Sequence, residues 1–291
     1  MKQLFKQINF RNDSLKTIDL VNGILDEYEK LGFDLSLRQL YYQMVSRGYT
    51  ENSQRSYKNL GNLINDARLS GLVDWGMIVD RNRETISVPH WHNPGDIIAG
   101  AVEQFRIDKW QWQPYHVEVM VEKDALSGVL APVCKMLDIR FTANKGYPSS
   151  SILYEMSNRL LTAIDYDKQI YILHLGDHDP SGIDMTRDLI DRLDLFVGSD
   201  IELRRLALNM DQVQYYKPPE NPAKTTDTRY QAYIAEYGYS SWELDALEPR
   251  VLANLVIDFV ESILEVGPWN EAMDKENEMK QELKRFADNY R

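Results

Sequence analysis

Two aspartates stand two residues apart directly after an apolar run. Residues 177–182 have the sequence Asp-His-Asp-Pro-Ser-Gly, and residues 171–176 before them predict a buried strand. Because side chains two apart in an extended chain point to the same side, Asp177 and Asp179 leave this strand as a pair of oxygen donors of the kind that Mg²⁺ prefers. Pro180 suits the first turn of a helix, so a helix should follow. Gly182 would allow a backbone or phosphate group to come close. The alternative is that the aspartates only cap that helix.

A third carboxylate, Glu122, is predicted at the same edge of a sheet. Residues 117–123 alternate apolar and polar side chains, which predicts a strand with Glu122 at its carboxyl end. A helix over 124–137, a strand over 139–143, a loop over 144–149, a helix over 150–162 and a strand over 169–175 are predicted after it. This alternation indicates a parallel sheet flanked by helices, in which ligands gather at the carboxyl ends of the strands. We therefore expect Glu122 to meet Asp177 and Asp179.

The N-terminal part has the pattern of three helices. They are predicted over about residues 13–31, with Asp13 or Ser14 as the cap, over 36–48 and over 53–71. Residues 73–80 then predict a strand, and a basic turn follows with Arg81 and Arg83. Three helices, a strand and a basic loop form the order of a winged helix-turn-helix, whose third helix enters the major groove of DNA. An ordinary three-helix bundle would give the same pattern.

Charge is distributed unevenly along the 291 residues. The net charge is −12, but residues 1–95 carry 12 Lys and Arg against 11 Asp and Glu, a net charge of +1, so the remainder has a net charge of −13. Turn-forming residues over 88–95 mark a domain boundary. Only the first part therefore suits DNA electrostatically. The acidic remainder can still act on a phosphodiester if its carboxylates hold a divalent metal, because the ion reverses the local field.

Composition indicates a globular, intracellular protein, expected in the cytoplasm. No apolar run approaches the roughly 18 residues that span a bilayer, and the start has no signal-peptide core. Cys134 is the only cysteine and is expected to be buried, which excludes a disulfide framework. His90 and His92 lack a second pair of ligands, so a surface linker is expected there. Residues 276–285 are expected to form a solvated helix face.

Four segments resemble, in order, those of one family: the A subunits of topoisomerase VI and their relatives among the meiotic double-strand-break proteins. Residues 36–42, Ser-Leu-Arg-Gln-Leu-Tyr-Tyr, are similar to the segment with the catalytic tyrosine. The other three segments resemble parts of a Toprim domain. Residues 121–123 are similar to its glutamate strand, residues 145–148 to one of its loops and residues 177–182 to its Asp-x-Asp motif. The resemblance implies a mixed α/β chain. A CAP-like winged helix-turn-helix domain (1–95) would be followed by a linker helix (96–114) and a Toprim domain with a Rossmann-like parallel sheet and a C-terminal helical extension (115–291).

The resemblance implies that Tyr42 attacks a DNA phosphorus and holds the 5′ end as a phosphotyrosine. Arg38 lies one helical turn earlier, where it would stabilise the phenolate or the pentavalent phosphate. The helical wheel places Tyr41 in the apolar stripe and Tyr42 with Arg38 off it. Both tyrosines could instead simply pack in a helix pair.

The resemblance also implies metal and partners. Glu122, Asp177 and Asp179 would hold one or two Mg²⁺ ions, and Glu122 would also act as a general acid or base. The basic residues expected to contact double-stranded DNA are Arg47, Arg55, Lys58, Arg68, Arg81, Arg83 and Lys145. Family members act as homodimers in which one subunit's tyrosine meets the other's metal site. Since the sequence has no phosphate-binding glycine loop, strand passage would need a separate ATPase subunit.

Two other functions stay open at this stage. A Toprim nuclease would use a metal-activated water in place of Tyr42. A non-catalytic DNA-binding protein would keep the carboxylates for structure alone. The sequence does not specify a DNA sequence preference, a physiological role or the number of metal ions.

Overall fold

The computed structural model describes residues 2–78, 88–198 and 201–288. The N-terminal part contains three helices: α1 (Asn12–Lys30), α2 (Leu37–Ser46) and α3 (Gln54–Leu69). Ser36 caps α2 in a reciprocal capping box with Gln39, and the Ser53 side chain caps α3, as expected of these residues. The apolar faces of the three helices enclose one core. The three predicted helices are thus confirmed, although α1 begins ahead of the predicted caps Asp13 and Ser14, and no side chain caps it.

The strand predicted over residues 73–80 is wrong for its described portion. Residues 73–78 form turns, and a single parallel bridge joins Ile78 to Leu35. The Asp74 carboxylate accepts a hydrogen bond from the Gly76 amide at 2.7 Å, which turns the backbone away from an extended path. Residues 79–80 and the basic turn with Arg81 and Arg83 lie outside the described residues.

A parallel four-stranded sheet forms the second part, as predicted. After α4 (Pro94–Gln104) come β1 (Tyr115–Val121), a 3₁₀ turn (Asp124–Leu126), α5 (Ser127–Met136), β2 (Arg140–Ala143), α6 (Ser150–Asp165), β3 (Gln169–Leu175), α7 (Pro180–Val197) and β4 (Ile201–Ala207). The strand order is β2-β1-β3-β4, and all pairs are parallel. The sequence pattern gave no prediction for β4. The protein is therefore of mixed α/β class.

Helices cover both faces of this sheet. Val117, Val119 and Val121 of β1 join an apolar cluster that includes residues of α5 and of a later helix, α10 (Pro249–Ile263). Met120, which points to the opposite face, joins a cluster with residues of α6 and α7. Alternate side chains of one strand thus enter two cores, which is the arrangement of a sheet buried on both sides. Cys134 is buried in the first cluster, as expected.

The C-terminal segment returns to both earlier parts. It comprises α8 (Met210–Tyr216), β5 (Glu220–Pro222), α9 (Tyr230–Tyr237), β6 (Ser240–Trp242), a 3₁₀ turn (Leu244–Ala246), α10 (Pro249–Ile263) and α11 (Val266–Asp288). β5 and β6 form an antiparallel pair. Trp242 exchanges two backbone hydrogen bonds of 2.9 Å with His178, inside the acidic turn. Ala246 is buried in the core of the N-terminal helices. The segment therefore connects the sheet with α2.

The solvated face expected over residues 276–285 is wrong at Glu276. This carboxylate is buried because α11 packs against α4 and the segment after it. It accepts hydrogen bonds from Lys109 at 3.1 Å, from Lys280 at 2.6 Å and from the Ile107 amide at 3.1 Å. Among the described residues, no helix has the length and apolar character needed to cross a membrane.

Candidate active site

The parallel sheet brings Glu122 and Asp177 to one edge. Val121, the last residue of β1, lies opposite Leu175, the last residue of β3. The Glu122 amide donates to the Leu175 carbonyl at 2.9 Å, and the Asp177 amide donates to Glu122 Oε2 at 2.9 Å. Both side chains are buried. The two carboxylate residues, distant in sequence, therefore meet where the sequence pattern placed them.

Asp179 lies at the start of α7 and caps it. Its Oδ1 accepts hydrogen bonds of 2.7 Å from the Gly182 amide and from the Ser181 hydroxyl. Its Oδ2 lies 3.9 Å from Nζ of the exposed Lys224. Asp179 thus caps α7, which was the alternative interpretation of the sequence. Its second carboxylate oxygen, Oδ2, takes no part in the cap.

Two glycines allow this close approach. A Cβ atom on Gly182 would overlap the Asp177 carbonyl oxygen and would lie 3.1 Å from Glu122 Oε2. A Cβ atom on Gly176 would also lie 3.1 Å from Glu122 Oε2. The Glu122 carboxylate therefore occupies a space between two positions that have no side chain. The prediction that Gly182 permits close approach is confirmed, and the approaching group is the backbone of Asp177.

Buried negative charge changes the proton affinity of this turn. Burial, followed by repulsion from Asp177, raises the pKa of Glu122 to about 7. Burial also raises the pKa of Asp177 to about 6, although Lys123 acts in the opposite direction. Glu122 and Asp177 are therefore only partly ionised near neutral pH. A nearby cation would favour their ionised forms.

Lys123 supplies one cation from within the chain. Its Nζ lies 2.8 Å from Asp177 Oδ2, 2.9 Å from Glu243 Oε2 and 3.1 Å from Asp245 Oδ1. The other oxygen of Asp177 accepts a 2.8 Å hydrogen bond from the Leu244 amide. Burial alone would lower the pKa of Lys123, but the three carboxylates raise it above its ordinary value. Lys123 is thus a permanent internal counterion.

Arg205, from β4, holds the turn from its other side. Its guanidinium donates to the carbonyls of Gly176 at 3.1 Å, Asp177 at 2.6 Å and Gly182 at 3.0 Å. It also donates to the Thr186 hydroxyl at 2.6 Å. Four residues of this network were not predicted from the sequence: Arg205, Lys123, Glu243 and Asp245. Lys123 has one local signal, since it is a basic residue at the end of a predicted strand. Arg205 lies in β4, a strand for which there was no prediction, and no local pattern marks Glu243 or Asp245.

The donor set suits a hard cation by chemistry, since all three predicted ligands are carboxylates. Their present contacts differ from those of a metal cage. Within residues 2–78, 88–198 and 201–288, no group of three or more His, Cys, Asp or Glu side chains is arranged to hold a metal ion. Lys123 and Leu244 engage Asp177, and the cap of α7 engages Asp179. Glu122 and Asp179 are the residues with an oxygen left for an ion.

Tyr42 lies beside Arg38 on α2, as predicted. The guanidinium carbon of Arg38 is 5.9 Å from the centre of the Tyr42 ring. Arg38 also pairs with Glu243, and its Nε lies 3.1 Å from Asp245 Oδ2. The expectation that Tyr42 projects off the core is wrong, because the side chain is only 4% exposed. The 3₁₀ turn Leu244–Ala246 packs on α2 and covers this face.

Burial acts against ionisation of the Tyr42 phenol. It raises the pKa of Tyr42 above its ordinary value, and the negative charges of Glu243 and Asp245 raise it further. Arg38 lowers it by less. Burial also acts to raise the pKa of Glu243, one of these two carboxylates. The positive charges of Lys123 and Arg38 outweigh this effect and hold the pKa of Glu243 at about 2. Glu243 is therefore ionised at neutral pH.

Tyr41 has a structural role, which agrees with its predicted place in the core. Its hydroxyl accepts a hydrogen bond of 2.8 Å from the Ser53 amide. It donates toward the carbonyls of Ser53 at 3.0 Å and Glu51 at 3.2 Å. Tyr41 thus fixes the turn that leads into α3.

A cavity of about 610 Å³ lies beside the two tyrosines. Arg38, Tyr42 and Lys58 contribute to its wall from the N-terminal helices, and Asn221 and Glu243 contribute from the C-terminal segment. Since Glu243 contacts both Arg38 and Lys123, and Lys123 contacts Asp177, a continuous chain of ion pairs joins the cavity to the acidic turn. The tyrosine region and the acidic turn of one chain are therefore physically connected.

The predicted DNA-contact residues fall into three groups. Arg47 pairs with Glu27 at 2.8 Å. Arg68 donates to the Trp75 carbonyl at 3.0 Å and to the Ile78 carbonyl, so both guanidinium groups have partners within the chain. Arg55, Lys58 and Lys145 are exposed. Arg81 and Arg83 lie outside the described residues. His90 and His92 are exposed, as the surface-linker prediction expects.

Comparison of the chain with protein-family models, with curated proteins and with solved structures found no match. The fold itself is an α/β fold with a parallel sheet whose acidic residues cluster at the carboxyl ends of the strands.

Proposed function

We propose that this protein is a Mg²⁺-dependent DNA-cleaving enzyme of the topoisomerase VI A type, with a CAP-like winged-helix part and a Toprim part, and that Tyr42 is its nucleophile. The observation that carries the proposal is the meeting of Glu122 and Asp177 at the ends of adjacent parallel strands, with Asp179 two residues on. The ion-pair chain from Asp177 to Arg38 adds support, since it connects this turn to the Tyr42 helix.

Glu122 and Asp179 would hold the ion, and Asp177 would join them by exchanging Lys123. Lys123 would then keep Glu243 and Asp245 as partners. When bound, Mg²⁺ neutralises the scissile phosphate and stabilises the leaving 3′ oxygen. Arginines and lysines exposed near Tyr42, of which Lys58 is one, would contact the DNA backbone.

The chemical step is a transesterification. A bond forms between the Tyr42 phenolic oxygen and phosphorus, and the bond between phosphorus and the 3′ oxygen breaks. The phenol proton passes to solvent. The 3′ oxygen takes up a proton from water, because a Glu122 carboxylate that binds the ion would have no proton to donate. Arg38 stabilises the charge that develops on the phosphoryl oxygens. The reverse step reseals the strand, because the phosphotyrosine conserves the bond energy.

A second candidate is hydrolysis by a metal-activated water at the same turn. One observation favours it: Tyr42 is buried, and both burial and Glu243 oppose loss of its proton. In that reaction the oxygen of water bonds to phosphorus, the 3′ oxygen leaves, and no covalent protein–DNA product forms. Both candidates use Glu122, Asp177 and Asp179.

Supercoiled plasmid incubated with the protein and Mg²⁺ tests the proposal. We expect nicked or linear DNA with protein attached to its 5′ ends, lost in Tyr42→Phe and kept in Tyr57→Phe, a tyrosine in the wall of the same cavity. Free ends that persist in Tyr42→Phe but vanish in Glu122→Gln would transfer the assignment to hydrolysis. Absence of cleavage with Mg²⁺ or Mn²⁺, with DNA binding retained in gel shifts, would sink both enzymatic candidates.

The proposal includes a homodimer and, for strand passage, a separate ATPase subunit. The ion pairs from Asp177 to Arg38 lie within one chain, whereas the proposed dimer would combine Tyr42 of one subunit with Glu122 of the other. A mixture of Tyr42→Phe and Glu122→Gln proteins tests this. A mixed dimer would have one intact site, formed by Tyr42 of one subunit and Glu122 of the other, and should nick one strand, although each variant alone is inactive. Light scattering that showed only a monomer would exclude the dimer.

A further inference from the structure

A second cavity lies on the edge of the sheet opposite Glu122. It has a volume of about 590 Å³ and opens at the amino ends of β1 and β2. Five of its lining side chains are cationic: Arg106, Lys135, Arg140, Arg159 and Lys168. The volume lies within the roughly 300–1,000 Å³ typical of sites for small molecules. In a chain with a net charge of −12, this is a local reversal of charge.

The two carboxylates in the wall are already engaged by backbone donors. Asp108 accepts a 2.9 Å hydrogen bond from the Trp110 amide. Asp138 accepts one of 3.0 Å from the Lys109 amide, and Lys109 Nζ lies 3.7 Å from it. Neutral amide donors leave both carboxylates charged, so the lining has five positive and two negative side chains and a net charge of +3.

Hydrogen bonds to other parts of the chain fix the positions of two of the cations, Arg159 and Lys168. The buried Glu118 accepts hydrogen bonds from Arg159 Nε at 2.9 Å and from a terminal nitrogen of Arg159 at 2.7 Å. Lys168 donates to the Gln111 carbonyl at 3.2 Å and also to Trp110. Each side chain keeps N–H groups that these contacts do not use. Their positions are thus fixed before any ligand arrives, which lowers the entropic cost of binding.

The other cations lack carboxylate partners or have only distant ones. Lys135 and Arg140 are exposed and form no ion pair within the part of the chain that the structure describes. Arg106 Nε lies 3.8 Å from Glu276, beyond hydrogen-bonding distance. A guanidinium fork such as that of Arg140 matches the geometry of a phosphate group, and lysines add point charge.

We propose that this cavity binds a small anion of the phosphate class that carries more than one negative charge. The cavity is independent of the proposed cleavage site, because the two lie at opposite ends of the same strands. The phosphate group could belong to a free oligophosphate or to a nucleic-acid backbone, and competition with an oligonucleotide distinguishes these two sources.

Calorimetric titration of the full chain with inorganic pyrophosphate tests this, in buffer of fixed ionic strength with EDTA to remove divalent ions. We expect one saturable site. The double substitution Lys135→Gln with Arg140→Gln should weaken binding at least tenfold. The matched control, Lys30→Gln with Arg11→Gln, removes two exposed cations of the N-terminal part and should change affinity less than twofold.

Three further arms make the outcome decisive. Glu122→Gln should bind pyrophosphate normally, so loss of DNA cleavage and loss of this site are distinguishable. Displacement of pyrophosphate by a short oligonucleotide would assign the phosphate to a nucleic-acid backbone. No saturable binding, or equal weakening by the control pair, would overturn the proposal. Since both pairs are exposed, thermal midpoints close to wild type would show that folding is intact.

Discussion

Nζ of Lys123 lies 2.8 Å from Asp177 Oδ2, although Lys123 directly follows Glu122 at the end of the neighbouring strand. The same ammonium contacts Glu243 and Asp245. One partly buried cation therefore balances the acidic turn and the carboxylates that hold Arg38. This arrangement means that the charge of the turn and the position of Arg38 depend on each other.

Removal of this cation should destabilise the fold strongly. Lys123→Met leaves Asp177 and Asp245 buried without their main counterion, and we expect the free energy of unfolding to fall by about 3 kcal/mol. Urea denaturation at pH 7 measures this. Lys145→Met is the control, since Lys145 is 72% exposed and lies 3.6 Å from its partner Asp124; its cost should be under about 0.5 kcal/mol. Equal effects would contradict the role of Lys123.

The acidic turn should not tolerate a side chain at Gly182. In Gly182→Ala the new methyl group meets the Asp177 carbonyl, which is backbone and cannot rotate away, so we expect a loss of about 3 kcal/mol or more. Gly23→Ala in α1 is the control. A Cβ atom there meets nothing within 4 Å, and alanine in a helix should stabilise by about 0.5–1 kcal/mol. Thermal unfolding of both variants would show opposite signs.

The two neighbouring tyrosines should respond differently to loss of the hydroxyl. Tyr41→Phe removes the acceptor of the Ser53 amide, and we expect a cost of about 1 kcal/mol. Tyr42→Phe should cost less than about 0.5 kcal/mol, because its hydroxyl contacts the Arg38 side chain, which keeps Glu243 and Asp245 as partners when that contact is lost. Chemical denaturation compares them. If Tyr42→Phe were the more destabilising, the hydroxyl of Tyr42 would have a structural function.

Asp184 should give a stability contribution that disappears in acid. Burial acts to raise the pKa of Asp184, but hydrogen bonds from Tyr147, Arg229 and Arg187 outweigh it and hold the value at about 2, below the ordinary 3.8. The unfolded chain therefore takes up the proton first as the pH falls. The stabilisation is complete above about pH 5, falls progressively as the pH passes through 3.8 and then 2, and is gone only near pH 1. Asp184→Asn should cost about 1 kcal/mol at pH 7 and clearly less at pH 2, which unfolding curves across this range would check.

Local pattern was sufficient where one segment determines its own structure. The cap at Ser36, the alternation in β1 and the turn at residues 177–182 each depend on neighbours in sequence, and the parallel sheet follows from their order. The strand expected over 73–80 is absent from its described part, residues 73–78, where the Asp74 carboxylate accepts a hydrogen bond from the Gly76 amide.

Long-range contacts could not be predicted in this way. Glu243 and Asp245 follow a short strand with no motif of their own, and their importance comes from contacts with Arg38 and Lys123, far earlier in the chain. The burial of Tyr42 has the same origin, because its cover is supplied by the 3₁₀ turn Leu244–Ala246 rather than by α2. Periodicity identifies the face of a helix but does not reveal what packs on it.

Leu244 lies 67 residues beyond Asp177 and donates its amide to that carboxylate. During synthesis, Asp177 leaves the ribosome well before Leu244, Glu243 and Asp245 exist. A nascent chain that has completed all four strands still lacks the donor for Asp177 and the acceptors for Arg38. The acidic turn and the Tyr42 helix therefore acquire their mature arrangement only after residue 245 has been synthesised, so a chain that stops before this residue is unable to assemble the whole site.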